Sequence, residues 1–142
     1  MIPDLGAAWT EGDIRIACED WDRPDLWQRY KDRHHLMKTP FVSDGPSCCS
    51  RFIPLPDGRV IDLYPAAAEH DLGYYLGGTE EERYIDDTIL ARNIVVRCKG
   101  PTGLATAMFM AVRAFGDTPF PTWYTWGFGL EHKHKFGFGE GT

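Results

Sequence analysis

Between Pro65 and Cys98 the chain reads PAAAEHDLGYYLGGTEEERYIDDTILARNIVVRC. Two helix-forming runs meet there at Gly77-Gly78-Thr79, and this junction limits the available folds more than any other feature. Pro65 suits the first position of a helix, where its missing N–H leaves no bond unmade. That helix is predicted to run to about Leu76 and to end on Gly77-Gly78, residues that reach the left-handed cap conformation without strain. Thr79 and Glu82 have the spacing of a capping box, so a second helix starts at once. Glu80, Glu81 and Glu82 suit its positive N-terminal end. It is predicted to continue through Cys98 and to stop near Gly100-Pro101. So short a connection makes the two helices antiparallel neighbours.

The rest of the chain adds smaller elements. Residues 102–115 place Leu104, Met108, Ala111, Val112 and Phe115 on one face of a further helix. RFIPLPDGRVIDLY (51–64) carries a Pro-Asp-Gly turn between two apolar runs and predicts a β-hairpin. Residues 39–50 read as loop. RPDLWQRYKDRHHLMK (23–38) predicts a helix, and DIRIAC (13–18) alternates like a short strand. The tail, about 117–142, is rich in aromatics and Gly and reads as irregular. The predicted fold class is therefore mainly α with a small β-hairpin: one antiparallel helix pair (about 65–99) plus additional helices, in a single domain spanning 1–142.

Composition excludes several classes. The net charge of −6 disfavours nucleic acid as a partner, because such binding needs a basic face. No apolar run is long enough to span a bilayer, and MIPDLGAAWTEGD lacks the basic start and apolar centre of a signal peptide. The expected location is the cytoplasm of the cell that makes the protein. Cys18, Cys48, Cys49 and Cys98 contain no C-x-x-C pair and read as reduced, mostly buried thiols.

The helical pair carries ionisable groups where apolar ones are expected. Residues three or four apart share a helix face. Ala67, His70 and Tyr74 therefore line up on the first helix, with Asp71 about 100° further round. On the second, Asp87 lies with Leu90, Ala91, Ile94 and Cys98 and should face inward. Asp86 is predicted on a more polar side, near Arg83 and Asn93. A carboxylate on an apolar stripe must be satisfied, and His70 and Tyr74 are its candidate partners. If Asp87 holds one imidazole nitrogen, the other is left as a base. Asp71 would then be free to hold a hard cation such as calcium. A His-Asp-Tyr cluster that only ties two helices together satisfies the same pattern.

At HDLGY (His70, Asp71, Tyr74), with a carboxylate on the antiparallel partner helix, the chain resembles the phospholipase A2 superfamily. Asp87 is the better match for the partner carboxylate and Asp86 the second. The resemblance implies a phospholipase A2-like helix pair and hydrolysis of glycerophospholipid esters at a phospholipid or membrane surface. His70 would be the general base, Asp87 and Tyr74 would orient it, and Asp71 would ligate calcium. The secreted enzymes carry a Gly-rich calcium loop before the His-Asp pair. The corresponding stretch here, SCCSRFIPLPDG, has Gly58 and the nearby Gly45 but no Gly-x-Gly.

Over about 65–129 the chain also resembles a bacterial and phage branch. The shared features are His-Asp-x-x-Tyr, Gly-Gly, an Arg four residues before an Asp (Arg83, Asp87), a later Val-Arg (AVRAFG) and WGFG at 126–129. This resemblance implies a microbial or viral origin.

Two other functions use the same residues. One is a non-enzymatic phage or prophage virion component that retains the hairpin and has phage structural proteins as partners. The other is an HD-type metal-dependent phosphohydrolase built from His34 or His35, His70-Asp71 and Asp87. Asp87 follows Asp71 closely for that helical fold. His34-His35 is better read as binding helix-terminal carbonyls. His132 and His134 read as part of a solvated basic tail. The aromatics Trp123, Tyr124, Trp126, Phe128, Phe136 and Phe138 suit a lipid interface, a protein partner or the core.

Overall fold

The computed structural model describes residues 2–45 and 50–115, with Phe115 through its backbone only. The expectations for Cys48, Cys49, the Phe115 ring and the tail with His132 and His134 lie outside the described residues.

The order of elements is α1 (Glu11–Asp20), α2 (Pro24–Arg33), a 3₁₀ turn (His34–Leu36), β1 (Phe52–Pro54), β2 (Val60–Asp62), α3 (Tyr64–Leu76), α4 (Glu80–Val96) and α5 (Thr102–Phe115). The protein is mainly helical, with one two-stranded antiparallel sheet. In that hairpin Ile53 faces Ile61, and Gly58 takes the turn at φ 91°. The hairpin ends directly in α3, where the Asp62 carboxylate accepts from the Tyr64 N–H.

The junction between α3 and α4 forms at the predicted residues, but Gly77, at φ 71° and ψ −162°, does not take the left-handed cap conformation expected of it. Gly77 and Gly78 have positive φ, 71° and 142°. A Cβ on Gly78 would lie 2.3 Å from Glu82 Oε1 and 2.6 Å from Arg33 Nη1, so those side-chain ends would have to move, and the positive φ alone makes any other residue strained there. Thr79 and Glu82 close the capping box in both directions. Thr79→Ala is expected to cost about 1 kcal/mol, measurable by urea unfolding as a lower midpoint with an unchanged slope.

The strand expected at 13–18 is instead part of α1. Thr10 caps this helix and makes a capping box with Asp13. Ile14, Ala17 and Cys18 are buried at helical spacing, whereas Ile16 is 43% exposed. The alternation of Ile14, Ile16 and Cys18 is incidental to that stripe. The helix expected over 23–38 is shorter, giving way to the 3₁₀ turn at His34. There His34 Nδ1 lies 3.0 Å from the Tyr30 carbonyl, a helix-terminal partner as expected.

α4 packs between α3 and α5. One apolar cluster joins Trp9, Ile14, Leu26 and Phe41 to Ala68, Leu72 and Leu76 of α3. A second joins Ile61, Leu63 and Ala66 to Leu90 and Ile94 of α4 and Met108 and Val112 of α5. α3 is thus enclosed on nearly every side, and polar groups along it must find partners inside the protein. Cys18 and Cys98 are free and buried. Burial pushes the Cys18 thiol up to about 12 and raises that of Cys98, so neither is a nucleophile at neutral pH. Among the described residues no helix is long and apolar enough to cross a membrane.

Candidate active site on the α3–α4 seam

The antiparallel packing of α3 and α4 brings His70 and Asp87 into contact. His70 Nε2 lies 2.7 Å from Asp87 Oδ1, and the Tyr74 hydroxyl donates to the same oxygen at 2.7 Å. A carboxylate only accepts, so Nε2 carries a hydrogen, and in the neutral ring Nδ1 keeps its lone pair. Nδ1 makes no hydrogen bond to a described residue. His70 as a whole is 7% exposed and Asp87 0%. The Tyr74 ring tilts against the imidazole, with centroids 4.3 Å apart. Burial, followed by the Asp87 charge, raises the Tyr74 phenol, which therefore stays protonated as a donor.

The second oxygen of Asp87 faces α5. Arg113 Nη1 donates to Oδ2 at 2.8 Å, and Arg83 Nη1 approaches it at 3.7 Å. Arg83 also reaches the Tyr74 hydroxyl and the Val112 carbonyl in the last turn of α5. Glu80 pairs with both arginines. The Arg preceding Asp87 by four residues and the Arg of AVRAFG therefore converge on one carboxylate.

Asp86, the second choice for the partner carboxylate, does not touch His70. Nor does it lie on a polar side: it is 2% exposed. Its oxygens accept from Arg23 at 3.0 Å and from Arg29 at 3.1 Å. Arg23 also donates to Glu69 at 2.7 Å, and Asn93 and Arg97 complete Glu69 at 3.1 and 2.9 Å. Arg83 and Asn93, expected beside Asp86 on the polar side, are buried as well. The charge on this face of α4 is matched by Arg29 of α2 and by Arg23, the residue before that helix. The sequence pattern contains no sign of that pairing.

Neither family models, nor curated proteins, nor solved structures give a match to this chain. The site is therefore judged on its own geometry.

Asp71 points away from the His70–Asp87 pair, toward the segment that precedes the hairpin. The Ser43 hydroxyl donates to its Oδ2 at 2.6 Å. An isolated bridge between Ala8 and Val42 and the bond from Gly6 N–H to the Ser43 carbonyl hold that segment in place. Gly58, in the stretch aligned above with a calcium loop, is occupied in the hairpin turn. Calcium takes six to eight oxygens. Around Asp71 the described residues offer the Ser43 hydroxyl and the charge of Asp44, and no described group of three or more His, Cys, Asp or Glu is placed to hold a metal. The described residues thus do not amount to a calcium shell, nor do they gather the ligands of an HD-type phosphohydrolase.

Loss of water around half-buried Asp71 pushes its carboxyl up to about 7; Asp44 adds to this, while Ser43 and His70 oppose it. The folded protein consequently holds the Asp71 proton more tightly than the unfolded chain, whose value is near 3.8. Stability contributed by that proton is complete below about 4 and is lost as pH rises to about 7. Asp71→Asn keeps an acceptor for Ser43 and removes the penalty. The variant is expected to melt with the wild type at pH 4 and above it at pH 8. The gain should be on the order of 1–2 kcal/mol, because Asp71 retains some solvent. Paired melting curves at the two pH values check this.

Proposed function

We propose that the protein hydrolyses glycerophospholipid esters in the manner of phospholipase A2, with His70 as general base. The observation that carries this reading is the 2.7 Å contact between His70 Nε2 and Asp87 Oδ1, which leaves Nδ1 as the basic nitrogen. In the proposed reaction Nδ1 takes a proton from water while the water oxygen attacks the ester carbonyl. Asp87 and Tyr74 hold the ring, and Asp87 stabilises the imidazolium as it forms. The imidazolium returns its proton to the leaving alkoxide as the ester C–O bond breaks, giving a fatty acid and a lysophospholipid. The substrate surface in this reading is a phospholipid membrane.

A second reading, a phage or prophage structural component that keeps the hairpin, has its own support. Asp87 is fully enclosed and joins three helices through His70, Tyr74, Arg83 and Arg113. The two readings part on one experiment. Phosphatidylcholine and phosphatidylglycerol vesicles are incubated with the full chain, with calcium and separately with EDTA, and free fatty acid is measured. Release that disappears in His70→Ala supports hydrolysis. A folded wild type without release under either condition supports the structural component.

A further inference from the structure

A cleft of about 310 Å³ lies between the end of α2 and the 37–41 segment. We propose that it binds a medium-chain fatty acid, with the alkyl chain against the apolar walls and the carboxylate at Lys38. This site goes beyond the hydrolase reading and does not rest on it. Neither His70 nor Asp87 is in the lining, and binding makes or breaks no covalent bond.

Both walls are held in place before a ligand arrives. On one side the Tyr30 and His34 rings stack with centroids 5.0 Å apart, and His34 Nδ1 lies 3.0 Å from the Tyr30 carbonyl. On the other, Phe41 packs on Tyr75, whose hydroxyl donates to the Thr39 carbonyl. The backbone N–H of Trp9 donates to the Phe41 carbonyl at 2.9 Å. Preformed clefts that are mainly apolar, with few polar groups, are the usual form of small-ligand sites.

The polar groups specify the head of the ligand. The lining contains Lys38 and no Asp or Glu, although the chain as a whole carries −6. Trp9 also lines the cleft; it is 4% exposed, and its Nε1–H has no hydrogen-bond partner among the described residues. A cation and an unmet N–H are both donors, so the complementary head group is an anion. Lys38 is exposed, and its stem can follow the apolar wall while the ammonium stays in water, where the carboxylate of an inserted alkyl chain would emerge.

The rings specify the body. Tyr30 stacks on Trp27 as well as on His34, so its faces are taken and it offers the cleft an edge. Planar rings and quaternary ammonium groups are held best by open ring faces. An alkyl chain makes no such demand, and Met37 in the lining can adapt to it.

Calorimetric titration of the full chain tests the assignment, with decanoate, decyltrimethylammonium and indole-3-acetate as probes. Decanoate is expected to bind about tenfold more tightly than either of the others. Lys38→Glu, at an exposed position, should weaken decanoate about tenfold. Amide NMR should place the decanoate-induced shifts at Thr39, Phe41 and Tyr75, and the same spectra report that the variant is folded. Absence of decanoate binding, tighter binding of the cation or of the planar anion, shifts confined to other residues, or undiminished affinity in folded Lys38→Glu overturns the site. No ester is present in these titrations. Decanoate binding in a protein that releases no fatty acid from vesicles removes the hydrolase reading alone, and release without decanoate binding removes the cleft alone.

Discussion

Asp86→Ala is expected to cost roughly 3–5 kcal/mol, the loss associated with removing one partner of a buried ion pair. Its carboxylate takes Arg23 Nη2 at 3.0 Å on one oxygen and both terminal nitrogens of Arg29 at 3.1 Å. The arginine side chains are 5% and 6% exposed, so water does not replace the lost carboxylate. A small domain has about 5–15 kcal/mol of stability in all, so the variant would sit near the edge of folding. Gly73 offers an independent approach to the same contact. A Cβ there would lie 2.4 Å from Asp86 Oδ2, nearer than side-chain carbons come to any neighbour. Gly73→Ala is therefore expected to destabilise by displacing the carboxylate, although alanine is the better helix former. Combining the two substitutions should cost clearly less than their sum, since Asp86→Ala vacates the space that the new methyl needs. Urea unfolding of the two single variants and the double variant checks this. A loss below about 1 kcal/mol for Asp86→Ala would show that the arginines do not depend on it.

The same α3–α4 seam shows what could be read from residue order. The His70–Tyr74–Asp87 cluster was legible because it needs only helical spacing and one tight junction, and Gly77-Gly78-Thr79 with Glu82 declares that junction locally. The hairpin and α5 were legible for the same reason, each being set by a turn or a period within a short window. In α1 the alternation of Ile14, Ile16 and Cys18 imitates a strand. Thr10 and Asp13, a capping pair with Asp in place of Glu, held the missing signal. The helical pattern puts Asp86 on a polar side, but a polar side can face inward. Charged residues face inward wherever another element brings the opposite charge, and Arg23 and Arg29 come from far away in sequence. The contact of Ser43 with Asp71 is equally remote, since it depends on how the 41–45 segment crosses the N-terminal strand-like bridge. Arg83 had a local signal, four residues before Asp87. Arg113 had no local signal.

On the proposed hydrolase reading, Asp87→Asn is expected to lower hydrolysis strongly while leaving His70 in place. The asparagine is nearly isosteric but has one oxygen where the carboxylate has two. At present Oδ1 accepts from His70 and Tyr74, and Oδ2 accepts from Arg113. Arg113 cannot accept a hydrogen bond, so it retains the single amide oxygen, and the amide NH₂ turns toward His70. Nε2 must then become the acceptor, which moves the ring hydrogen to Nδ1. Nδ1 would then carry the proton and have no lone pair for water. General-base catalysis is worth about 10²–10⁴-fold, and fatty acid release should fall by that factor while the helical circular dichroism signal is retained. Imidazole NMR of the same sample should show the tautomer exchanged relative to wild type. If the tautomer exchanges and hydrolysis persists undiminished, His70 is not the base.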